Sequence, residues 1–200
     1  MAEQIHKSMV NYFIYSNKLY CSWQETIMNL VKPVISVRNL SEQLRHISSD
    51  SVDKAEVYHI DNARENLIFK INAGIDNEMI TIDYDMQTLK NLYLDLKNKF
   101  HYLITLQNKV QESDPLMHTL IKGTTYRPQL ASLYEYAEQV HNYYKHFFNL
   151  INNNYIALNR YDERTIQNLA ASMEESSARK DQVLKVLILT EFMMKEKSIK

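Results

Sequence analysis

Two pairs in which a histidine follows a glutamate by three residues are the clearest candidates for chemistry. The pairs are Glu56 with His59 and Glu138 with His141. On a helix this spacing puts a carboxylate and an imidazole on one face, and di-iron bundles combine two such pairs with further inward glutamates. The apolar stripes described below supply no inward carboxylate, so we expect no metal. We interpret these groups as solvated charge and as histidine at the rim of the core.

Nucleophilic and phosphate-binding chemistry have even less support. Cys21 is the single cysteine, and no activating base can be identified for it, so we expect a small buried hydrophobic residue. Neither Gly74 nor Gly123 begins a phosphate-binding loop. We therefore predict no catalytic residue, no cofactor and no enzymatic activity.

Composition indicates a helical protein. Hydrophobic residues make up 45% of the 200 residues and charged residues 24%, while only two glycines and three prolines interrupt the chain. The net charge is −1, with no basic stripe, so nucleic-acid binding is not expected. No apolar run is long enough to span a bilayer. We expect a protein of the nucleus, the cytoplasm or both.

Three long apolar stripes with alternating three- and four-residue steps dominate the chain. The clearest runs from Ile82 to Val110, which predicts a helix over residues 83–112 with Asp83 and Asp85 at its start. The others predict a helix over residues 4–47, kinked or divided near Pro33, and a helix beginning near Pro128. The residues expected in the core are Trp23, Leu89, Tyr93, Leu96, Phe100, Leu103, Val140, Tyr144, Phe147 and Ile151.

Shorter elements complete the predicted fold. A short helix starts at Pro115 and stops at Gly123, and another follows Asp162 as its N-cap. A last helix carries an apolar run from Val183 to Met193. Residues 48–80 read as a linker or a small hairpin. The fold class predicted is therefore all-α, an elongated helical bundle with coiled-coil-like seams, in a single domain over residues 1–200.

The last helix has more apolar residues than one buried face requires. Such an excess marks contact sites, so we expect residues 178–194 to dock a larger partner. Aromatic side chains of the third long helix are expected to support that surface, because tyrosine is enriched at interfaces. The candidate partner-binding residues are Tyr136, Tyr143, Val183, Leu187, Ile188 and Phe192.

Four segments of the chain carry a resemblance to a known family. They are the tryptophan-bearing segment Trp23-Gln24-Glu25-Thr26, the central segment from Leu103 to Val110, the aromatic helix from Leu133 to Tyr144, and the stretch from Glu175 to Glu191. Together they resemble the cyclin-dependent kinase 2-interacting protein family. The resemblance implies a non-enzymatic adaptor that binds cell-cycle or checkpoint kinases. It also implies a subunit of an AAA+ ATPase assembly acting in ribosome biogenesis and replication. The architecture alone also suits an alternative, a structural coiled-coil subunit of a kinetochore or microtubule-nucleation complex.

Overall fold

A computed structural model describes residues 1–49, 62–108, 115–125, 127–175 and 177–195. Within these ranges the chain forms six helices and no strand. The helices are α1 (Ala2–Ile47), α2 (Ala63–Gln107), α3 (Pro115–Lys122), α4 (Leu130–Ile156), α5 (Glu163–Ser172) and α6 (Ser177–Lys195). The predicted all-α helical bundle is confirmed. The coiled-coil character of its seams stays a prediction.

Two helix boundaries follow the sequence signals closely. Gly123 ends α3 with φ of 70°, and a β-carbon there would lie 2.8 Å from the carbonyl oxygen of Arg127, so only glycine fits this turn. Asp162 caps α5, because its side chain accepts a 3.0 Å hydrogen bond from the backbone nitrogen of Arg164.

The interpretation of residues 48–80 as a linker or hairpin is wrong for residues 63–80, which are helical; residues 50–61 lie outside the described ranges. The short β-prone runs from Leu67 to Ile71 and from Met79 to Ile82 made a hairpin plausible. In the helix, Ile71 and Ile82 of these runs share one buried face with Ile75, which lies between them. Gly74 does not break the helix, because its missing side chain leaves room for Leu40, whose methyl would lie 3.3 Å from an added β-carbon.

Because α2 starts at Ala63, the two aspartates expected at its N-terminus are internal. Asp83 accepts a 2.8 Å hydrogen bond from the Tyr155 hydroxyl, whereas Asp85 is buried, and burial raises the pKa of its carboxyl. Of the kink or division expected near Pro33, the division is absent, since α1 continues through the buried Pro33 as one element. The kink stays a prediction. Cys21 is exposed rather than buried.

The chain groups into two compact units. Unit 1 contains residues 1–24, 90–148 and 175–200, and unit 2 contains residues 25–89 and 149–174. The prediction of a single domain over residues 1–200 is left as a prediction.

Aromatic packing dominates the core of unit 1. Trp23 is fully buried, with its ring centroid 5.1 Å from that of Tyr144 in a T-shaped pair and 5.8 Å from that of Phe147. The hydroxyl of Tyr12 donates a 2.8 Å hydrogen bond to the carbonyl oxygen of Ala137, which ties α1 to α4. These contacts combine apolar burial with a hydrogen bond that satisfies a buried hydroxyl.

Polar contacts join the helices of unit 2. Arg45 and Glu163 form an ion pair of 2.7 Å, and Ser36 donates a 2.8 Å hydrogen bond to Glu78. Arg160, in the turn before α5, pairs with Asp76 of α2. Because these pairs are partly exposed, we attribute most of the stability of unit 2 to its buried isoleucines, leucines and valines.

The residues expected in the core are all buried except Phe100, which is half-buried.

Candidate functional site

The described residues contain no group of three or more His, Cys, Asp or Glu side chains placed to hold a metal ion. Glu138 is exposed, while Glu56 and His59 lie outside the described ranges.

His141 is not the rim histidine expected from the sequence, because it is buried in unit 1. Its ring stacks on Phe100 with centroids 4.4 Å apart and planes inclined by 8°, and it also faces Tyr93 at 6.2 Å. Burial, followed by the positive charges of His101, Lys145 and Lys97, lowers the pKa of His141 to about 4. A neutral imidazole therefore acts as a core aromatic residue at physiological pH.

Acidification should lower the free energy of unfolding through His141. An unfolded histidine has a pKa of about 6.5, so between that pH and about 4 the unfolded chain binds a proton that the folded chain excludes. Stability should thus fall as the pH falls through this window, by about 3 kcal/mol from this group. Urea denaturation at a series of pH values should show a shallower decline for His141→Phe than for the wild type.

The exposed His118 offers the matched control. His118→Gln should retain the pH dependence of the wild type, because the exposed side chain of His118 remains in contact with water in the folded protein. An unchanged pH dependence in His141→Phe would show that His141 is not held neutral by the fold.

A groove of about 380 Å³ lies between α4 and α6 in unit 1. The residues that line this α4–α6 groove are Gln139, Asn142, Tyr143, His146, Arg179, Gln182 and Val183. No carboxylate lines it, so Arg179 supplies its fixed charge. Apart from Tyr143, the polar side chains that line the groove make no hydrogen bond or ion pair within the described part of the chain. The groove therefore presents polar groups that a bound molecule could satisfy.

Contacts within unit 1 hold the start of α6 in place. Glu175 accepts hydrogen bonds from Gln24 at 2.9 Å and from Lys180 at 3.0 Å. The Lys180 ammonium also lies 5.9 Å from the ring centroid of Tyr20. The hydrogen bond to Glu175 raises the pKa of Lys180. These contacts orient the first turn of α6, which carries Arg179 of the groove.

The structure separates the candidate partner-binding residues into distinct environments. Tyr143 and Val183 meet in the groove, and Tyr136 is half-buried earlier in α4. Val183 and Leu187 are both buried, so they belong to the core of unit 1 and not to a free surface as expected, although Val183 also lines the groove. Ile188 is 64% exposed. Phe192 belongs to α6, but its side chain lies outside what the structure describes.

The outer surface of α6 has a second apolar residue that the sequence did not single out. Leu189 is 51% exposed and lies beside Ile188. Leu189 is also seven residues after Gln182, which places both on one side of the helix about 10 Å apart. One exposed side of α6 thus runs from Gln182 in the wall of the groove to the apolar side chains of Ile188 and Leu189.

A sequence model of the family described as "CA109-like: Ribosome biogenesis protein C1orf109-like" matches residues 3–196. The chain belongs to this C1orf109-like family of ribosome biogenesis proteins. A search of curated proteins finds none that matches the chain. Among the described helices, none is both long and apolar enough to cross a membrane.

Membership of the C1orf109-like family corrects the resemblance suggested by the sequence. The assignment to the cyclin-dependent kinase 2-interacting protein family is wrong, because the C1orf109-like model accounts for nearly the whole chain. The motifs that suggested it were short segments of helix, and long amphipathic helices share such patterns across unrelated families. The C1orf109-like family nevertheless agrees with the expected involvement in ribosome biogenesis. It lends no support to the kinetochore or microtubule-nucleation alternative.

Proposed function

We propose that this protein is a non-catalytic subunit of a larger hetero-oligomeric assembly in ribosome biogenesis, and that α6 is its docking element. The observation that carries the proposal is the exposure of Ile188 and Leu189 on a helix whose opposite face is buried in unit 1. Membership of the C1orf109-like family supports a role in ribosome biogenesis, and the exposed apolar residues of α6 supply a surface for docking.

The α4–α6 groove adds polar specificity to this apolar contact. Tyr143 lies at the boundary between core and groove, since its ring packs against Tyr144 at 4.9 Å while it also lines the groove. Such rigid aromatic residues contribute large contact areas at low entropic cost. We propose that Tyr136 extends the docking surface along α4.

For the partner, we propose an AAA+ ATPase assembly of ribosome biogenesis. The resemblance that first suggested this partner does not hold. The proposal is supported instead by its agreement with ribosome biogenesis, the process that the family description names. A cell-cycle kinase lacks even that agreement and serves as an alternative outcome of the experiment below. We propose the nucleus, the cytoplasm or both as the site of action, as a role in ribosome biogenesis allows.

The double variant Ile188→Asp with Leu189→Asp tests the docking element. Two charges on the exposed side of α6 should reduce co-purification of ribosome assembly factors from cells by at least tenfold, because charge at an apolar interface must be desolvated. Thermal melting of the isolated protein should change little, since neither side chain is buried. Quantitative mass spectrometry of the tagged protein gives the first readout and circular dichroism the second.

A matched control introduces the same charges on another exposed apolar pair. Met28 and Ile35 of α1 are both exposed and lie in unit 2. Met28→Asp with Ile35→Asp should retain the co-purified proteins. Full co-purification by the α6 variant would exclude α6 as the docking element, and recovery of kinases without an AAA+ ATPase would exclude the proposed partner.

A further inference from the structure

An arginine followed by a serine three residues later occurs twice towards the end of α1. The two copies of this pattern are Arg38 with Ser41 and Arg45 with Ser48. Many serine kinases select an arginine at this distance, because carboxylates in the kinase pair with its guanidinium group. The pattern is short and therefore common, so only the surroundings of each serine distinguish a site of modification from a chance match.

The first copy is closed to a kinase. Ser41 is 3% exposed, and its hydroxyl donates a hydrogen bond to the backbone carbonyl oxygen of Arg160 in unit 2. Phosphoryl transfer requires the serine oxygen as nucleophile, so this hydrogen bond would have to break and the helix would have to unwind on both sides of Ser41. The first copy of the pattern thus serves as an internal control for the second.

The second copy lies in the opposite environment. Ser48 is exposed one residue beyond the end of α1 at Ile47, and its hydroxyl makes no hydrogen bond with another described residue. Its backbone nitrogen donates a 3.0 Å hydrogen bond to the carbonyl oxygen of Leu44, which closes the last turn. Because helix ends fray, this turn can open into the extended conformation that a kinase binds.

The arginine of the second copy is also accessible. The side chain of Arg45 is 48% exposed and forms its 2.7 Å ion pair with Glu163. An exposed ion pair of this kind contributes about 0.2–1 kcal/mol, so a carboxylate of a kinase can replace Glu163 as the partner. Arg38 is exposed as well, so the two copies differ at the serine and not at the arginine.

We propose that Ser48 is a phosphorylation site for a serine kinase that recognises Arg45. In this reaction the hydroxyl oxygen of Ser48 forms a bond to the γ-phosphorus of ATP, and the bond from that phosphorus to the bridging oxygen of ADP breaks. The hydroxyl proton passes to the catalytic aspartate of the kinase, and ADP leaves. The kinase supplies ATP and the base, while this chain supplies the nucleophile and the arginine.

Two guanidinium groups of unit 2 are placed to hold the phosphate. Arg64, near the start of α2, donates a 3.0 Å hydrogen bond from its Nε to the carbonyl oxygen of Ile47, the residue before Ser48. Arg45 precedes Ser48 by three residues, a spacing that makes side chains neighbours on a helical turn. A phosphate carries a charge of about −1.5 to −2 and pairs strongly with guanidinium groups. We expect it to bridge the end of α1 and the start of α2.

Other charges of this region oppose a phosphate. The C-terminal carbonyl groups of α1 carry about half a negative charge, and Glu42, Glu65 and Glu163 add carboxylates on α1, α2 and α5. Direct hydrogen bonds from Arg45 and Arg64 should outweigh them, because charges in contact interact more strongly than charges separated by water. Variants that differ in a single arginine keep these opposing charges constant, so they isolate its contribution.

Phosphorylation of the full-length protein in solution provides the direct test. The probe is calcium/calmodulin-dependent protein kinase II with Mg–ATP, a kinase that accepts an arginine three residues before serine. Mass spectrometry of proteolytic peptides should find phosphate on Ser48 and none on Ser41. Ser48→Ala should remove this phosphate, and Ser41→Ala should retain it. The same Ser48 phosphopeptide should be present in tagged protein isolated from cells treated with phosphatase inhibitors.

Two matched arginine variants test recognition by the kinase. Arg45→Gln should lower kcat/KM for phosphorylation of Ser48 by roughly tenfold or more, because it removes charge-assisted hydrogen bonds to the kinase. Arg38→Gln makes the same chemical change at the first copy of the pattern and should leave kcat/KM unchanged. Circular dichroism should show both variants folded, because both arginines are exposed.

Phosphorus NMR tests how the phosphate is held. In the phosphorylated protein, Arg64→Gln should raise the second pKa of the Ser48 phosphate by about half a unit or more, because a guanidinium in contact favours the doubly charged form. Arg38→Gln should leave this pKa unchanged. The two variants carry the same net charge, so a difference between them reports contact and not general attraction.

Three results would overturn the proposal. The first is a failure to find phosphate on Ser48, either after treatment with the kinase or in protein from cells. The second is phosphate on Ser41, because burial would then not select between the two serines. The third is an equal pKa of the Ser48 phosphate in Arg64→Gln and Arg38→Gln, because Arg64 would then not hold it.

Discussion

Leu96→Asp is expected to unfold unit 1, with a loss of more than about 3 kcal/mol, which is a large part of the stability of an ordinary domain. Leu96 is fully buried on the inner face of α2. An aspartate there must either remain charged without a partner or bind a proton, and both choices cost free energy in a close-packed apolar core. Thermal melting followed by circular dichroism measures the effect.

Leu94 provides a close control because it lies only two residues away, on the exposed side of the same helix. Leu94→Asp makes the same chemical change with little desolvation, so its melting temperature should stay within a few degrees of the wild type. Equal melting of Leu96→Asp and the wild type would remove this part of α2 from the core.

Truncation after Glu175 is expected to destabilise unit 1 by an amount comparable with its whole stability. The truncation removes Val183, Val186, Leu187 and Met193, all of them buried. At about 1.5–3 kcal/mol for each buried apolar side chain, the truncation removes roughly 6–12 kcal/mol of the free energy that burial contributes to folding. Loss of cooperative melting and binding of a hydrophobic dye should report the exposed core.

A shorter truncation after Lys195 is the control, because it leaves α6 entire. It should melt as the full-length chain does. If the longer truncation also melted like the full-length chain, α6 would be a dispensable appendage, and the burial of Val186 and Met193 would contribute nothing to stability. The point variants on Ile188 and Leu189 are therefore better tests of docking than removal of the whole helix.

The local elements could be predicted where the signal lies in a few neighbouring residues. Gly123 ends a helix because only a residue without a β-carbon fits its turn, and Asp162 caps α5 through its own side chain. The all-α class follows from long three–four apolar spacing and from the scarcity of glycine and proline. These signals are local, so they can be read without knowing what a helix packs against.

Residues 63–80 show where local reading fails. The runs around Ile71 and Ile80 are short and β-prone, and a glycine lies between them. These residues are helical in the structure because Ile71 and Ile75 are buried in the core of unit 2, and Leu40 fills the space beside Gly74. Tertiary burial outweighs a propensity difference of a few tenths of a kcal/mol per residue.

The sequence by itself determined the helical class, most helix ends and the apolar residues available for burial, since each depends on spacing along one chain. Only the tertiary structure decided which of those residues are covered. Leu187 is core while Ile188 beside it is exposed, and His141 is neutral in an aromatic stack although the sequence suggested a rim position. Neighbouring residues of a helix point about 100° apart, so the placement of other helices around them determines whether each stabilises the fold or remains free to bind a partner.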